Sequence, residues 1–128
     1  MKKTLVILFS LLIPFNSHGG WEKVVKGSLG DTFYVDFNIN KNNGNIYFWV
    51  LRDYLKPDSF GDMSSKVLKE LDCNYPRKMR SISFSFYTQP MGKGPTSEIN
   101  NETKKWTYFP PGTSANVYQT KVCDLANQ

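Results

Sequence analysis

Residues 32–51 read TFYVDFNINKNNGNIYFWVL and contain two candidate strands joined by a turn signal. From Thr32 to Ile39 the odd positions are apolar and the even ones mostly polar, a period of two that predicts a strand with one buried face. Asn43-Gly44 favours a tight turn between antiparallel strands. Ile46–Leu51 is apolar at both parities, which predicts a central strand covered on both faces. A short buried helix is the alternative for this last segment, and its β-branched and aromatic residues disfavour it.

Further strands are predicted on both sides of this pair. The candidates are Trp21–Val25, a weaker segment in which Val67, Leu71 and Cys73 share one parity, Ser81–Tyr87, and Trp106–Phe109. In the segment Ser81–Tyr87, serines alternate with apolar residues and are expected on one face of the sheet. The connections are of hairpin length, so about six antiparallel strands are expected.

The C-terminal segment changes to the period of a helix. From Ser114, a predicted N-cap, the apolar residues Val117, Tyr118, Val122 and Leu125 fall on one side of a helix with 3.6 residues per turn. This helix is expected to cover one face of the sheet. The second apolar face, which carries Tyr47, Trp49 and Leu51, needs another cover, either from curling of the sheet or from a second protein.

Residues 1–19 have the pattern of a bacterial signal peptide. Met1-Lys2-Lys3 is a short positive start, Thr4–Phe15 is a mostly apolar stretch too short to span a membrane, and Ser17-His18-Gly19 resembles a cleavage site. The alternative is an uncleaved N-terminal anchor. We expect a single mature domain at 20–128 that has no transmembrane segment. It is periplasmic or secreted, and display on the cell surface stays open.

The two cysteines of the chain, Cys73 and Cys123, both lie in the expected mature domain. An even number of cysteines in an exported domain predicts one disulfide, although two buried thiols or an intermolecular bridge are alternatives. Such a bridge would pin the helix onto the sheet. The predicted fold class is therefore α+β, mainly β, with a single antiparallel sheet and a short C-terminal helix tethered by a disulfide.

The only histidine of the chain is His18, so the expected mature domain has none. Without imidazole, Ser-His and Cys-His nucleophile pairs and a His-ligated zinc site are excluded. Carboxylate pairs such as Asp58 and Asp62 have neither a metal-loop spacing nor a catalytic signature. The sequence thus predicts no catalytic residue, no metal and no cofactor, and indicates a binding protein rather than an enzyme.

A set of basic residues is the candidate partner-binding surface. Loss of residues 1–19 would remove two of the 16 basic residues and none of the 11 acidic ones, so the net charge would fall from +5 to +3. This mild basicity does not predict a nucleic-acid partner. Strand parity does not place the basic residues in one continuous patch, and solvated strand ends are the alternative. The candidates are Arg77, Lys78, Arg80, Lys104 and Lys105.

Aromatic residues are a second candidate surface. Their rings could stack on sugar rings or bases, whereas packing in the core and across strands is the alternative. The candidates are Tyr34, Tyr47, Trp49, Tyr87 and Trp106.

The order of several short motifs resembles the surface-adhesin protein E family over nearly the whole expected mature chain. These motifs are Trp21, Tyr34-Val35-Asp36, Ile46–Tyr54 with its Trp49, Ser65-Lys66, Glu70-Leu71-Asp72-Cys73, Arg77–Arg80 leading into Ser81–Tyr87, Trp106-Thr107-Tyr108-Phe109-Pro110-Pro111-Gly112, and Cys123.

This resemblance implies a small antiparallel sheet with a C-terminal helix tethered by a disulfide. It also implies a bacterial envelope protein that binds host matrix proteins such as laminin and vitronectin, and that forms dimers. The chain lacks the lipid-attachment cysteine expected of a surface-anchored adhesin. We therefore expect a non-enzymatic binding module that captures a host matrix protein. The alternative is a periplasmic accessory or inhibitor protein that acts on an envelope partner. A homodimer through the uncovered sheet face is a further expectation.

Overall fold

The computed structural model describes residues 20–127, and the predicted signal peptide lies outside them. No helix in this range is long and apolar enough to cross a membrane. The described residues form seven strands and one α-helix: β1 (Trp21–Lys26), β2 (Thr32–Asp36), β3 (Asn40–Asn42), β4 (Asn45–Asp53), β5 (Ser64–Asp72), β6 (Lys78–Tyr87), β7 (Thr96–Asn100) and α1 (Ser114–Ala126).

The strands form one antiparallel sheet in the order β1-β2-β4-β5-β6-β7. Strand β3 pairs with the first residues of β4, and β2 pairs with its last residues, so both share one edge of β4. Strand β4 is therefore an interior strand, as the apolar run Ile46–Leu51 predicted. The predicted antiparallel sheet is confirmed.

The turn between β3 and β4 explains why this hairpin forms. Asn42 pairs with Asn45 across a two-residue turn, and Asn43 and Gly44 have φ angles of 53° and 84°. Positive φ at both central positions is the type I′ geometry, which matches the twist of antiparallel strands and which Asn-Gly adopts at low cost. The predicted tight turn is confirmed.

Helix α1 packs across one side of the sheet, which we call the helix face. Tyr118 makes an edge-to-face contact with Phe48, with ring centroids 6.2 Å apart. Burial of each large apolar side chain contributes about 1.5–3 kcal/mol, so this layer is the main source of stability. The buried core of this face comprises Val35, Ile46, Phe48, Val50, Leu71, Met79, Tyr118, Val122 and Cys123.

A disulfide joins Cys73, just after β5, to Cys123 on α1, with a Cα–Cα distance of 5.8 Å. Cys123 is fully buried in the core. The predicted tether between the sheet and the C-terminal helix is confirmed.

The helix begins one residue earlier than the sequence predicted. The side of the helix that is buried against the sheet also differs slightly from the predicted apolar side. Thr113 is the N-cap, and its side chain accepts a hydrogen bond from the Asn116 N–H at 3.2 Å. Gln119 is buried against the sheet, whereas Val117 and Leu125 are only half-buried. The buried stripe is thus centred on Val122 and Cys123, because the disulfide holds that side of the helix against the sheet.

Strand β6 contains a bulge that changes the predicted arrangement of its side chains. Ser83 lies opposite Leu68 and Ser81 lies opposite Lys69, so Ile82 is an extra residue without a partner in β5. Directly opposed residues share a face, which places Ser81 on the helix face and Ser83 on the other one. The expectation that the serines of this strand share one face is therefore wrong.

The predicted strand Trp106–Phe109 is reduced to one isolated bridge between Thr107 and Met79. The outer edge of β6 is instead paired mainly with β7, which the sequence did not predict. Strand β7 is an edge strand whose residues are mostly exposed, so it lacks the apolar alternation by which strands are found.

Candidate functional site

The side of the sheet opposite the helix, which we call the open face, is partly covered by the chain itself. A short 3-10 turn at Pro90–Gly92 folds over Leu51, which is fully buried, and a Cβ atom on Gly92 would lie 3.3 Å from Leu51 Cδ1. The Ser64 hydroxyl holds this turn, because it donates to the Gln89 carbonyl oxygen at 2.6 Å and accepts from the Gly92 N–H at 2.8 Å. Two residues before Leu51, Trp49 remains 37% exposed.

A groove of about 330 Å³ surrounds Trp49 on the open face, and we call it the tryptophan groove. The sheet register assembles it, because Trp21 lies opposite Asp36, and Lys66 lies opposite Ser85. The groove thus runs across β1, β2, β4, β5 and β6. Its lining residues are Trp21, Asp36, Trp49, Lys66, Ser85 and Tyr87.

The polar side chains of the tryptophan groove keep hydrogen-bonding capacity. Lys66 Nζ lies 5.0 Å from the ring centroid of Tyr87 and 5.9 Å from that of Trp21, within the range of cation–π attraction. Asp36 accepts a hydrogen bond from the Asn38 N–H at 2.9 Å through Oδ1. Within residues 20–127, neither Lys66 nor Asp36 forms an ion pair.

Two of the predicted basic residues meet around the third tryptophan, and we call Lys78, Arg80 and Trp106 the Trp106 cluster. Arg80 Cζ lies 4.4 Å and Lys78 Nζ lies 5.1 Å from the ring centroid of Trp106. Because Lys78 lies opposite Asp72 and Arg80 opposite Glu70, both belong to the open face. The bulge in β6 therefore places them on the same face as Ser83 and Ser85, whereas uninterrupted alternation along the strand would have placed them with Phe84.

Glu70 anchors this cluster to the sheet. Its carboxylate accepts hydrogen bonds from Asn45 Nδ2 at 2.9 Å, from the Tyr47 hydroxyl at 2.8 Å and from Arg80 Nε at 2.7 Å. Burial alone would raise the pKa of Glu70, but these three bonds and the charge of Arg80 outweigh it and hold the pKa below its usual value. The hydrogen bond to Glu70 in turn raises the pKa of the Tyr47 phenol. The network fixes the orientation of Arg80, whose guanidinium lies over the Trp106 ring.

The other predicted basic residues lie elsewhere. Arg77 stacks on Tyr75, with Cζ 4.7 Å from the ring centroid. Lys104 forms an exposed ion pair with Glu102 at 3.3 Å, and its ammonium lies 5.7 Å from the ring centroid of Phe84 on the other side of the sheet. Lys105 directly precedes Trp106 in the sequence and is exposed. The structure thus brings together Lys78 and Arg80 and leaves the other three basic residues apart from them.

Lys69 and Ser81 are the residue types of a Ser-Lys catalytic dyad, but a substrate cannot reach them. Lys69 Nζ donates to Ser81 Oγ at 2.8 Å, and burial lowers the pKa of Lys69 to about 8. Ser81 is only 8% exposed within the sheet, so its hydroxyl cannot reach a substrate carbonyl, and the pair is structural. Among residues 20–127 there is no group of three His, Cys, Asp or Glu side chains that could hold a metal ion.

The sequence identified Trp49, Tyr87 and Trp106 as candidate stacking residues, but it did not identify Trp21 or Lys66. Parity within single strands shows which residues share a face of that strand, but only the pairing between strands shows which of them are neighbours. The β1–β2 and β5–β6 registers bring these two residues into the groove.

Comparisons with known proteins agree with this architecture. The family model of surface-adhesin protein E matches residues 21–124. A crystal structure of Haemophilus influenzae protein E, in crystal form II, is 20% identical with a TM-score of 0.66, and the match covers 90% of this chain and 95% of that chain. Protein E from non-typeable Haemophilus influenzae is 21% identical with a TM-score of 0.58, over 89% of this chain and 82% of that chain.

No curated protein gives a significant match to the sequence. The structural likeness at these identities shows a shared fold, whereas the family match extends over most of the chain. The chain belongs to the surface-adhesin protein E family.

Proposed function

We propose that this chain is an exported, non-enzymatic binding protein that captures a host matrix protein on its open face. The observation that carries the proposal is the Trp106 cluster, in which Lys78 and Arg80 are stacked on an aromatic ring. Arginine and tryptophan are enriched among the residues that dominate protein–protein binding energy. Arg80 is also held in place by the buried Glu70 carboxylate, which reduces the entropy lost on binding.

The other predicted basic residues have a secondary role in this proposal. Lys105 is exposed next to Trp106 in sequence, Arg77 lies in the connection between β5 and β6, and Lys104 lies in the segment between β7 and α1. Their charges would increase the rate of association with an acidic partner rather than fix its orientation, because exposed charges are screened by salt.

The test is capture of purified laminin and vitronectin by the mature domain, measured by surface plasmon resonance. We expect Lys78→Glu and Trp106→Ala each to weaken capture, and higher salt to reproduce part of the Lys78→Glu effect. Arg80 is left unchanged because its loss would leave Glu70 buried without its cationic partner. Lys121→Glu on the exposed side of α1 is the matched control. Capture of neither protein, or equal losses in Lys78→Glu and Lys121→Glu, would contradict the proposal.

A second candidate function is a periplasmic accessory or inhibitor protein that acts on an envelope partner. The disulfide between Cys73 and Cys123 is compatible with this location, because the periplasm is an oxidising compartment, as is the cell exterior. The location of the mature chain separates the two candidates.

A further inference from the structure

We propose that the tryptophan groove binds a glycan segment, with sugar rings stacked on Trp49 and Trp21. The inference rests on the proposed function only in treating the chain as a binding protein. Its residues differ from those of the Trp106 cluster, and it therefore has a separate test.

The aromatic side chains of the groove present flat apolar faces. Trp49 is 37% exposed although it lies in an interior strand, and Trp21 and Tyr87 are half-buried beside it. A pyranose ring has one face made mainly of C–H groups, which packs against an aromatic ring much as a base does. Rings held at fixed positions on a sheet lose little entropy when they bind such a ligand.

The polar lining of the groove matches hydroxyl groups. Asp36 supplies an acceptor, Lys66 supplies a donor and Ser85 supplies both. A sugar hydroxyl can donate to the carboxylate and accept from the ammonium, so both charged groups stay hydrogen-bonded when water is displaced. A cationic ligand is disfavoured, because Lys66 already lies against Tyr87 and Trp21.

The direction of the groove favours an oligosaccharide over a single sugar. Its residues come from β1, β2, β4, β5 and β6, which are consecutive in the sheet. Lys66 Nζ lies 5.9 Å from the ring centroid of Trp21 and 5.0 Å from that of Tyr87, so these two outer rings of the groove are separated by no more than the sum of these two distances. A chain of sugar rings can lie along this direction and contact both tryptophans.

A proline-rich peptide is the rival ligand, because such peptides also bind aromatic grooves. Proline has no N–H, so a polyproline segment offers mainly carbonyl acceptors. Bound in this groove, it would bring carbonyl oxygens near the Asp36 carboxylate and remove water without supplying a donor. The carboxylate therefore favours the glycan.

The test follows the indole N–H signals of the mature domain by nitrogen–proton NMR during titration with four probes: cellohexaose, chitohexaose, a heparin-derived hexasaccharide and hexaproline. We expect at least one oligosaccharide to shift the Trp21 and Trp49 signals and to leave the Trp106 signal in place. Trp49→Ala should weaken that binding about tenfold or more, as expected for loss of one stacking contact. Asp36→Asn, a conservative change, should also weaken it, whereas Trp106→Ala should not.

The spectra show at the same time whether each variant is folded. Binding of the unsulfated probes alone would indicate a neutral glycan, and binding of the heparin-derived probe would indicate a sulfated matrix glycan; either result supports the groove. A response to hexaproline alone, no response to any probe, or equal shifts at all three tryptophans would overturn the inference. Because protein capture is measured through Lys78 and Trp106, such a failure would leave the proposed function standing.

Discussion

Lys69 is a charged residue on the helix face of the sheet, opposite Phe48 of the core. Its ammonium donates to the Ser81 hydroxyl at 2.8 Å, and within the described residues no carboxylate forms an ion pair with it. Burial lowers its pKa from 10.5 to about 8, so the side chain is still charged at neutral pH. A half-buried charge without an opposite charge destabilises the folded state.

Replacement of this charge by a neutral side chain of similar length should stabilise the fold. We expect Lys69→Met to raise the free energy of unfolding by about 1–3 kcal/mol at neutral pH, because the cost of burying the ammonium disappears. Urea unfolding followed by tryptophan fluorescence measures the difference. Lys121→Met, at an exposed position of α1, is the control and should change stability by less than about 0.5 kcal/mol. A destabilised Lys69→Met variant would contradict this account.

The lowered pKa of Lys69 also predicts how the free energy of unfolding changes with pH. Between its folded pKa of about 8 and its ordinary value of 10.5, the unfolded chain binds more protons than the folded one. The free energy of unfolding should therefore rise as the pH increases above 8, whereas Lys69 should contribute no pH dependence at lower pH, where it is protonated in both states. Because burial raises the pKa of Tyr118, ionisation of this tyrosine in the unfolded chain favours unfolding above pH 10, so the measurements stop below that value. Lys69→Met should lack the rise, and equal slopes in both proteins would rule out Lys69 as its cause.

At the scale of elements, the start of α1 distinguishes two neighbouring residues that are equally suited to cap a helix. Thr113 accepts the Asn116 N–H through its side chain, whereas Ser114 is the first residue of the helix. We expect Thr113→Ala to lower the free energy of unfolding by about 1 kcal/mol, and Ser114→Ala to change it much less. Thermal unfolding of both variants tests this. A larger loss of stability in Ser114→Ala would contradict the structure and indicate that Ser114 is the N-cap, as the sequence predicted.

Periodicity predicted the elements whose side chains alternate between core and solvent, and missed the others. The Asn43-Gly44 turn and the apolar run Ile46–Leu51 were sufficient to predict the tight turn and the interior strand. The predicted continuous strand Thr32–Ile39 is wrong in part, because β2 ends at Asp36 and the separate strand β3 begins at Asn40. The bulge at Ile82 was not predictable, because the residues on both sides of it alternate normally and only pairing with β5 reveals the extra residue. Strand β7, at Thr96–Asn100, is mostly exposed and has no apolar face to signal it.

At the scale of the whole molecule, the candidate sites were less predictable than the fold. The sequence suggested both a basic surface and a set of stacking aromatics, and Trp49, Tyr87 and Trp106 do lie on the open face. The tryptophan groove, however, takes residues from five strands. Neither the contribution of Trp21 nor the position of Lys66 over two rings follows from any single segment, because both depend on the register between strands.

The location of the chain decides between the two candidate functions, and the structure provides a means to measure it. Phe60 is 89% exposed in the loop between β4 and β5, so proteinase K has an accessible cleavage site in the folded domain. If the chain captures a host matrix protein, immunoblots should show that it is digested on intact cells or released into the medium. The N-terminus of the undigested mature chain should be Gly20. A periplasmic marker protein should stay intact in the same cells. Protection of the chain until the outer envelope is opened would contradict host capture and favour the accessory or inhibitor function.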